Sequence, residues 1–557
     1  WLFFNLFVAG MTLVVIARTV FLFLAAWEVM SIAAYFLVTF EHEKAEVRRA
    51  GWVYLVATHL GVAFLFVAFL LLGGQAGSLD FAALRALPQL SPVLTGLVFG
   101  AALIGFGAKA GFVPFHVWLP EAHPAAPSHV SALMSGVMIK MGLYGLLRVL
   151  TFLGAPAPWW GATLASLGLL TALVGVALAL SQRDIKRVLA YSSIENIGLI
   201  ALALGLGLWG WANHLPALAA LAVTAGLLHI WNHSLMKGLM FFAAGSVLHG
   251  AGTKDMEKLG GLLRRMPWTG GLMIAGAVAI AALPPLNGFV GKWLLYLGLF
   301  HAGLDTDSGN LSALLSVGLL ALIGGLAAVA FVRLAGVVLL GAPRSEAAAQ
   351  AQESSPWLLG PMALLALFCV GAALFPGAIT GLFTAALRDV LGPESSDSWT
   401  ELQATQAPLA TVGWLNLATW LVGGAVAGVF FLWLRRAPRA TAPTWGCGYP
   451  KPTARIQYTG RSFAELLVTR LLPRWLRPRI KLERPQGLFP QPTRFGTETP
   501  DPVSHGVYEP FFRRWAWRFT RLRILQQGNV HTYLIYIMLV VVVALTWASL
   551  RAWWIAS

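Results

Sequence analysis

Apolar residues run along this chain in long stretches separated by short polar ones, a pattern that predicts membrane-crossing helices, each of about 20 residues. Thirteen such runs can be drawn, at about 2–17, 20–40, 51–73, 95–113, 128–150, 161–180, 188–209, 216–249, 269–300, 311–341, 358–385, 411–434 and 530–550. The fold class they predict is all-α, a polytopic membrane protein of about 13 transmembrane helices. Two stretches carry clustered prolines. In GFGAKAGFVPFHVWLPEAHPAAPSH these are Pro114, Pro120, Pro124 and Pro127; in IAALPPLNGFVGKWLLY they are Pro284 and Pro285, ahead of Asn287 and Gly288. Proline removes a backbone donor and clashes with the preceding turn. Backbone freed in this way is tolerated at membrane depth only against protein or along a hydrated cavity. The second broken run lies five spans after the first, which predicts two five-helix repeats of inverted orientation, each with a broken helix. The expected limits are 1–150 and 151–341 for the two repeats, with two further helices in 342–434. A basic cytoplasmic or interfacial connector at 435–528 and a last helix in 529–557 complete the chain.

Ionisable residues inside these runs are the candidate chemistry, since a charge at the centre of a membrane helix costs about 2.5–3.5 kcal/mol and marks function by default. Lys109 and Lys140 flank the first proline-rich stretch, Glu28 lies about eight residues into the second run, and Lys292 follows the second break. His229, His233 and Lys237 recur every four residues, so they share one helix face. That face reads as a wet proton path rather than a chance polar stripe. Glu195 sits near the start of its run, where a structural pairing with Lys186 or Arg187 competes with a role in transport. His116, Glu121, His123 and His129 are metal-ligand types without HExxH or CxxC spacing, so a polar, proline-shaped hairpin capping a channel is the favoured reading. His116 is kept as an accessory candidate. Arg333 stands alone in its run and reads as a snorkelling or helix-pairing residue.

The composition, 58% hydrophobic and 11% charged over 557 residues, excludes a soluble globular protein. Of the net charge of +16, thirteen units lie between Arg435 and Arg523, where 18 Lys or Arg face 5 Asp or Glu. A basic segment beside membrane spans reports topology and attraction to anionic lipid rather than nucleic acid. Loops at 41–50, 114–127, 181–187, 250–268 and 342–357 hold eleven Lys or Arg, against Arg18, Arg85, Arg148 and Arg388 in the loops of the other side. The first set is therefore expected on the cytoplasmic side, with the C-terminus outside. Two cysteines, Cys369 and Cys447, and no CxxC lead to the expectation of no metal, no iron–sulfur cluster and no other cofactor in this chain.

Six blocks of sequence, FLAAWEVMS, GAKAGFVPFHVWLPEAHPAAPS, IKMGLYGLLR, IKRVLAYSSIENIG, HIWNHSLMKGLMFFAAGSVLH and LPPLNGFVGKW, resemble the antiporter-like membrane subunits of the complex I superfamily. The ending, TWGCGYPKPTARIQYTGRSFAELL before a last helix, looks like the hydrogenase-4 and formate hydrogenlyase subclass, component B. By resemblance, Glu28 matches the family's fifth-helix carboxylate, Lys109 the lysine of its broken seventh helix, and Lys140 the lysine of the eighth. His229, His233 and Lys237 match the polar face of the eleventh helix, and Lys292 the terminal residue of the twelfth. The family has helices before the one that begins near Leu2, so the resemblance implies helices upstream of Trp1. It further implies a non-redox, proton-translocating subunit in a bacterial or archaeal cytoplasmic membrane, assembled with other membrane and peripheral subunits. Those partners would carry the iron–sulfur clusters and a [NiFe] centre. In this reading Glu28 gates Lys109, the proton passes Lys140 and the His229 face, and Lys292 releases it. A Glu–Lys pair at about 4 Å is worth roughly 4 kcal/mol at an effective dielectric near 20, enough to control whether the lysine keeps its proton. Alternatives are a component of an Mrp-type cation/proton antiporter, an antiporter-like component of NADH-quinone oxidoreductase using the same residues, and a mainly structural anchor for a soluble arm.

Overall fold

The computed structural model describes residues 1–304, 310–391, 397–436, 448, 453, 456–482, 487, 489, 493, 495–525, 528 and 530–556, with backbone alone at 397–407, 482, 495, 524, 525, 555 and 556. Cys447 and most of the TWGCGYPKPTAR block lie outside the described residues. The chain divides into two compact units, Trp1–Thr499 and Pro500–Ser557. The first contains α1 (Leu2–Ile16), α2 (Val20–Val38), α3 (Ala45–Ala76) and α4 (Pro92–Ala110). It continues with α5 (Ser128–Leu153), α6 (Pro158–Ser181), α7 (Ile185–Ala212) and α8 (Pro216–Ala251). Next come α9 (Pro267–Ile280), α10 (Asn287–Leu304), α11 (Leu311–Leu339), α12 (Pro356–Leu374) and α13 (Asp397–Arg436). A short antiparallel ladder of β1 (Arg479–Leu482) and β2 (Phe495–Glu498) follows. In the second unit α14 (Glu509–Thr520) precedes α15 (Val530–Ala556).

Among the described residues eleven helices, not thirteen, are long and apolar enough to cross a membrane. The difference lies in two of the expected runs. That at 2–17 forms a helix of 15 residues, and that at 269–300 is split into α9, of 14 residues, and α10, of 18. Both expected breaks are present. Helix α4 ends on Gly111 in the left-handed conformation, with φ 89°, and the chain resumes as a helical turn at Phe115–Trp118 and a short helix at Leu119–Ala125. The carbonyl of Ala108 accepts a hydrogen bond from the Trp118 indole at 2.8 Å, and the amide of Val113 donates to Thr171 Oγ1 at 3.2 Å. Protein groups thus engage the backbone that the break exposes. At the second break α10 begins at Asn287, and a Cβ on Gly288 would fall 1.8 Å from the carbonyl oxygen of Ala279. Only glycine permits the two half-helices to meet there.

Helix α7 is the central post, its most apolar window entirely buried. It packs on α6, α8, α10 and α11. The α6–α7 contact is close because Gly168 and Gly175 face the α7 backbone: a Cβ would stand 2.4 Å from the amide of Leu202 and 2.5 Å from that of Glu195, respectively. Small residues of this kind replace the hydrophobic drive that is missing between helices in lipid. The loops assigned to one face by charge do come together. Arg187 pairs with Glu121 at 3.2 Å, Lys254 with Asp184 at 3.2 Å, and Arg344 donates to the carbonyl oxygens of Leu259 and Tyr458. Expected to snorkel or to pair helices, Arg333 of α11 does the second: it is 3% exposed and donates to the carbonyls of Leu180, Ala179 and Gln182 at the end of α6. Hydrogen bonds to charged groups contribute about 1.5–3 kcal/mol each. Arg333→Ala is therefore expected to lower the melting temperature of the purified protein while leaving ion movement per assembled complex unchanged. A melting temperature equal to that of the parent would contradict the clamp.

A buried polar axis along the central helix

The α7 stretch Ser192-Ser193-Ile194-Glu195-Asn196 is wholly buried, and each of its four polar side chains meets a neighbouring element. Lys237 of α8 donates to Ser192 Oγ and, at 2.8 Å, to the carbonyl of Leu189. Ser193 shares a hydrogen bond of 2.8 Å with Ser135 of α5, whose carbonyl accepts from Lys140. Asn196 Oδ1 lies 3.0 Å from His229 Nε2 of α8. Glu195 Oε1 lies 3.5 Å from Lys292 Nζ of α10. The expected partners of Glu195, Lys186 and Arg187, are engaged elsewhere: Lys186 Nζ donates to the carbonyl of Ala126 at 2.8 Å, and Arg187 binds Glu121. Glu195 is fully buried by the neighbouring helices.

The candidate residues of α8 share one face. The rings of His229 and His233 stack at 6.4 Å between centroids, and Lys237 follows one turn on. Among the described residues both ring nitrogens of His233 lack a hydrogen-bond partner, as does Nδ1 of His229. Lys140 and Lys237 are near enough for both charges to act on His233, and Glu195 is near enough to act on Lys237. In helix α5 a π-helical segment, Met134–Met138, immediately precedes Ile139 and Lys140. Such segments often mark functional positions.

Between α2 and α3, Lys109 is 1% exposed and donates to Ser31 Oγ at 2.9 Å and Tyr54 OH at 3.0 Å, beside the rings of Trp27 and Tyr54. Glu28 is within reach of the Lys109 charge, yet its Oε2 lies 3.5 Å from Nε2 of His59 on α3. Ser31 is one turn from Glu28 on α2, so Lys109 meets a hydroxyl pair where a carboxylate was expected. The Tyr54 hydroxyl also approaches Met138 Sδ at 3.7 Å, two residues before Lys140. Of the hairpin residues, His116 and His123 are buried, His129 is exposed against the ring of Phe4, and Glu121 serves Arg187.

Ser31, Tyr54, His59, Ser135, Ser192, Ser193 and Asn196 belong to the site without having been singled out from the sequence. Ser192, Ser193 and Asn196 stand inside IKRVLAYSSIENIG, one of the blocks that carried the resemblance, and could have been found there.

Long buried helices, two breaks beside intramembrane lysines and a titratable stripe between them define an ion-translocating membrane protein of antiporter type. The chain belongs to the NADH:quinone oxidoreductase/Mrp antiporter transmembrane family, whose profile matches residues 17–317. It is 40% identical to hydrogenase-4 component B of Escherichia coli over 457 residues, covering 80% of this chain and 68% of the relative. It is 35% identical to formate hydrogenlyase subunit 3 of the same organism over 485 residues, covering 85% and 76%, respectively. Similarity extends to a chain of a probable K(+)/H(+) antiporter of Rhizobium meliloti, 32% identical over 87% of this chain and 46% of that one. The fold resembles a chain of the membrane-bound sulfane sulfur reductase, an archaeal respiratory membrane complex, with a TM-score of 0.74 and 22% identity over 98% of this chain and 83% of that one.

Removing one member of a buried ion pair costs about 3–5 kcal/mol, because the other charge is left uncompensated. Glu195→Gln and Lys292→Gln are each expected to destabilise the protein by an amount of that order, while the double substitution recovers more than half of the summed loss. Thermal denaturation of the four proteins measures this coupling. Strictly additive losses would show that the pair is not coupled.

Proposed function

We propose that this chain is the proton-translocating membrane subunit of a complex I-like assembly, working with a hydrogenase-4 or formate hydrogenlyase type redox arm in the cytoplasmic membrane of a bacterium or archaeon. The observation that carries the reading is the set of buried titratable groups gathered on α7, Lys140, Lys237, His229 and the Glu195–Lys292 pair, with buried Lys109 beyond them, joined to the Lys140 helix through Tyr54 and Met138. Intramembrane charges are costly and persist where ions pass. A mainly structural anchor for a soluble arm would not need Lys109, Lys140, Lys237 and Lys292 all buried within the bundle.

A proton enters in the region of Glu28 and His59 and reaches Lys109, whose charge is held by Ser31, Tyr54 and two aromatic faces. A shift of α2 against α3 exchanges the His59 partner of Glu28 for Lys109 and so changes how firmly Lys109 holds its proton. The proton then passes Lys140, the Ser135–Ser193 hydroxyls and the face of Lys237, His233 and His229. Buried polar atoms are ordinarily satisfied by protein or by ordered water. The ring of His233, near the charges of Lys140 and Lys237 and without a hydrogen-bond partner among the described residues, suits a hydrated relay. Lys292, paired with Glu195, is the exit group. Electrons move in partner subunits, which would hold the iron–sulfur clusters and the [NiFe] centre. The antiporter reading uses the same residues without electron transfer; the higher identities to hydrogenase-4 component B and formate hydrogenlyase subunit 3 favour the coupled one.

The test is proton uptake into proteoliposomes that contain the intact complex, with its redox reaction followed in parallel. Lys109→Ala is expected to abolish proton uptake in an assembled complex, and Glu28→Gln to remove most of it. Pumping at the parental proton-to-electron ratio by the assembled Lys109→Ala complex would overturn the central role of this lysine, and failure to assemble would favour the structural anchor.

A further inference from the structure

A second site lies away from the axis, at the end of α6. There Leu180, Ser181, Arg183 and Arg333 meet residues of the 461–497 segment across a pocket with about 660 Å³ of empty space, part of it open to solvent. Its wall carries four arginines, Arg183, Arg333, Arg461 and Arg477, against one carboxylate, Glu465. The four differ in what already engages them. Arg333 is bound to the terminal carbonyls of α6, and Arg461 lies 3.7 Å from Glu465. The Arg183 side chain has no hydrogen bond or ion pair among the described residues, and Arg477 uses only Nε, on the carbonyl of Leu472 at 2.7 Å. Two guanidinium forks therefore remain available beside a net positive wall. The rest of the lining is largely apolar, with Leu180, Ala464, Val468, Pro478 and Ile480.

From this juxtaposition we infer a binding site for the phosphate headgroup of an anionic phospholipid. Planar guanidinium groups match phosphate oxygens in paired hydrogen bonds, and basic pockets beside membrane helices recruit anionic headgroups. The apolar wall gives the first carbons of an acyl chain a surface that a free phosphate would leave uncovered. A zwitterionic headgroup would bring an ammonium to a wall that is already positive, so phosphatidylglycerol or cardiolipin fits where phosphatidylcholine does not. The pocket joins the end of a membrane span to the segment at 456–482, whose arginines are kept from repelling one another by the bound anion. The lipid is thus a structural ligand that fixes this segment against the end of α6. None of the wall residues belongs to the proton path, so the lipid site stands or falls apart from it.

Native mass spectrometry of the full chain in its complex, titrated with cardiolipin, phosphatidylcholine or inorganic phosphate, tests the site. Cardiolipin is expected to be retained and phosphatidylcholine to be lost, and millimolar phosphate should not displace the lipid. Arg183→Gln combined with Arg477→Gln is expected to weaken cardiolipin retention by about tenfold or more, each surface charge contributing on the scale typical of lipid-facing basic residues. Thr469→Trp, which fills the pocket and keeps all four arginines, should weaken it similarly with the melting temperature in phosphatidylcholine unchanged. Equal retention of both lipids, undiminished cardiolipin binding in both variants, or occupancy by phosphate in place of the lipid would overturn the assignment.

Discussion

Burying a polar helix on every side is the constraint on which this structure depends. In lipid or in a dry protein interior, an unpaired hydroxyl, amide or carboxylate costs several kcal/mol. Helix α7 brings Ser192, Ser193, Glu195 and Asn196 into full burial, so each must find a group on a neighbour. The neighbours supply Lys237, the Ser135–Lys140 pair, Lys292 and His229, which come from three different helices. The same hydrogen bonds that make α7 tolerable thus set the spacing of the titratable groups. Stability of the bundle and the alignment of these groups are two consequences of one arrangement.

The broken helices fit this logic. A continuous α4 would spend the carbonyl of Ala108 on its own turn, whereas the break hands it to Trp118 and leaves Lys109 at the helix end beside Ser31 and Tyr54. At the second break the side-chain amide of Asn232 donates to the carbonyl of Asn287 at 2.9 Å, tying α8 to the start of α10 one residue before His233. Gly291 keeps the next turn of α10 close to α8: a Cβ there would meet His229 Nδ1 at 2.6 Å. Lys292 follows directly and reaches back to Glu195.

Much of this was legible in the sequence because apolar length, proline clusters and intramembrane charges are local signals. The breaks at Pro114 and at Pro284–Pro285, and the stripe of His229, His233 and Lys237, needed nothing beyond spacing. Pairings between distant segments did not show. Glu195 and Lys292 are 97 residues apart, and nothing near Glu195 distinguishes that partner from Lys186 on the same helix. Glu28 was matched to Lys109 by family pattern, while His59, which holds the carboxylate here, is one exposed histidine among twelve in the chain. Serines within helices often do no more than bond the carbonyl one turn back, as Ser193 also does to Leu189, so their second role is visible only when the neighbouring helix is in place. Apolar length alone also merged α9 and α10 into one run, since a break costs hydropathy nothing.

If the groups along α7 form one continuous route, its middle is the place to cut it. Lys237 stands in the middle of the proposed order and is fully buried, so it offers no surface where a partner could bind. The decisive measurement is the proton-to-electron ratio of the assembled Lys237→Met complex in proteoliposomes, with redox turnover recorded on the same vesicles. A continuous route predicts sustained electron transfer with proton translocation lost. A parental ratio, with the complex intact, would show that protons do not pass along α7 and would contradict the proposed route.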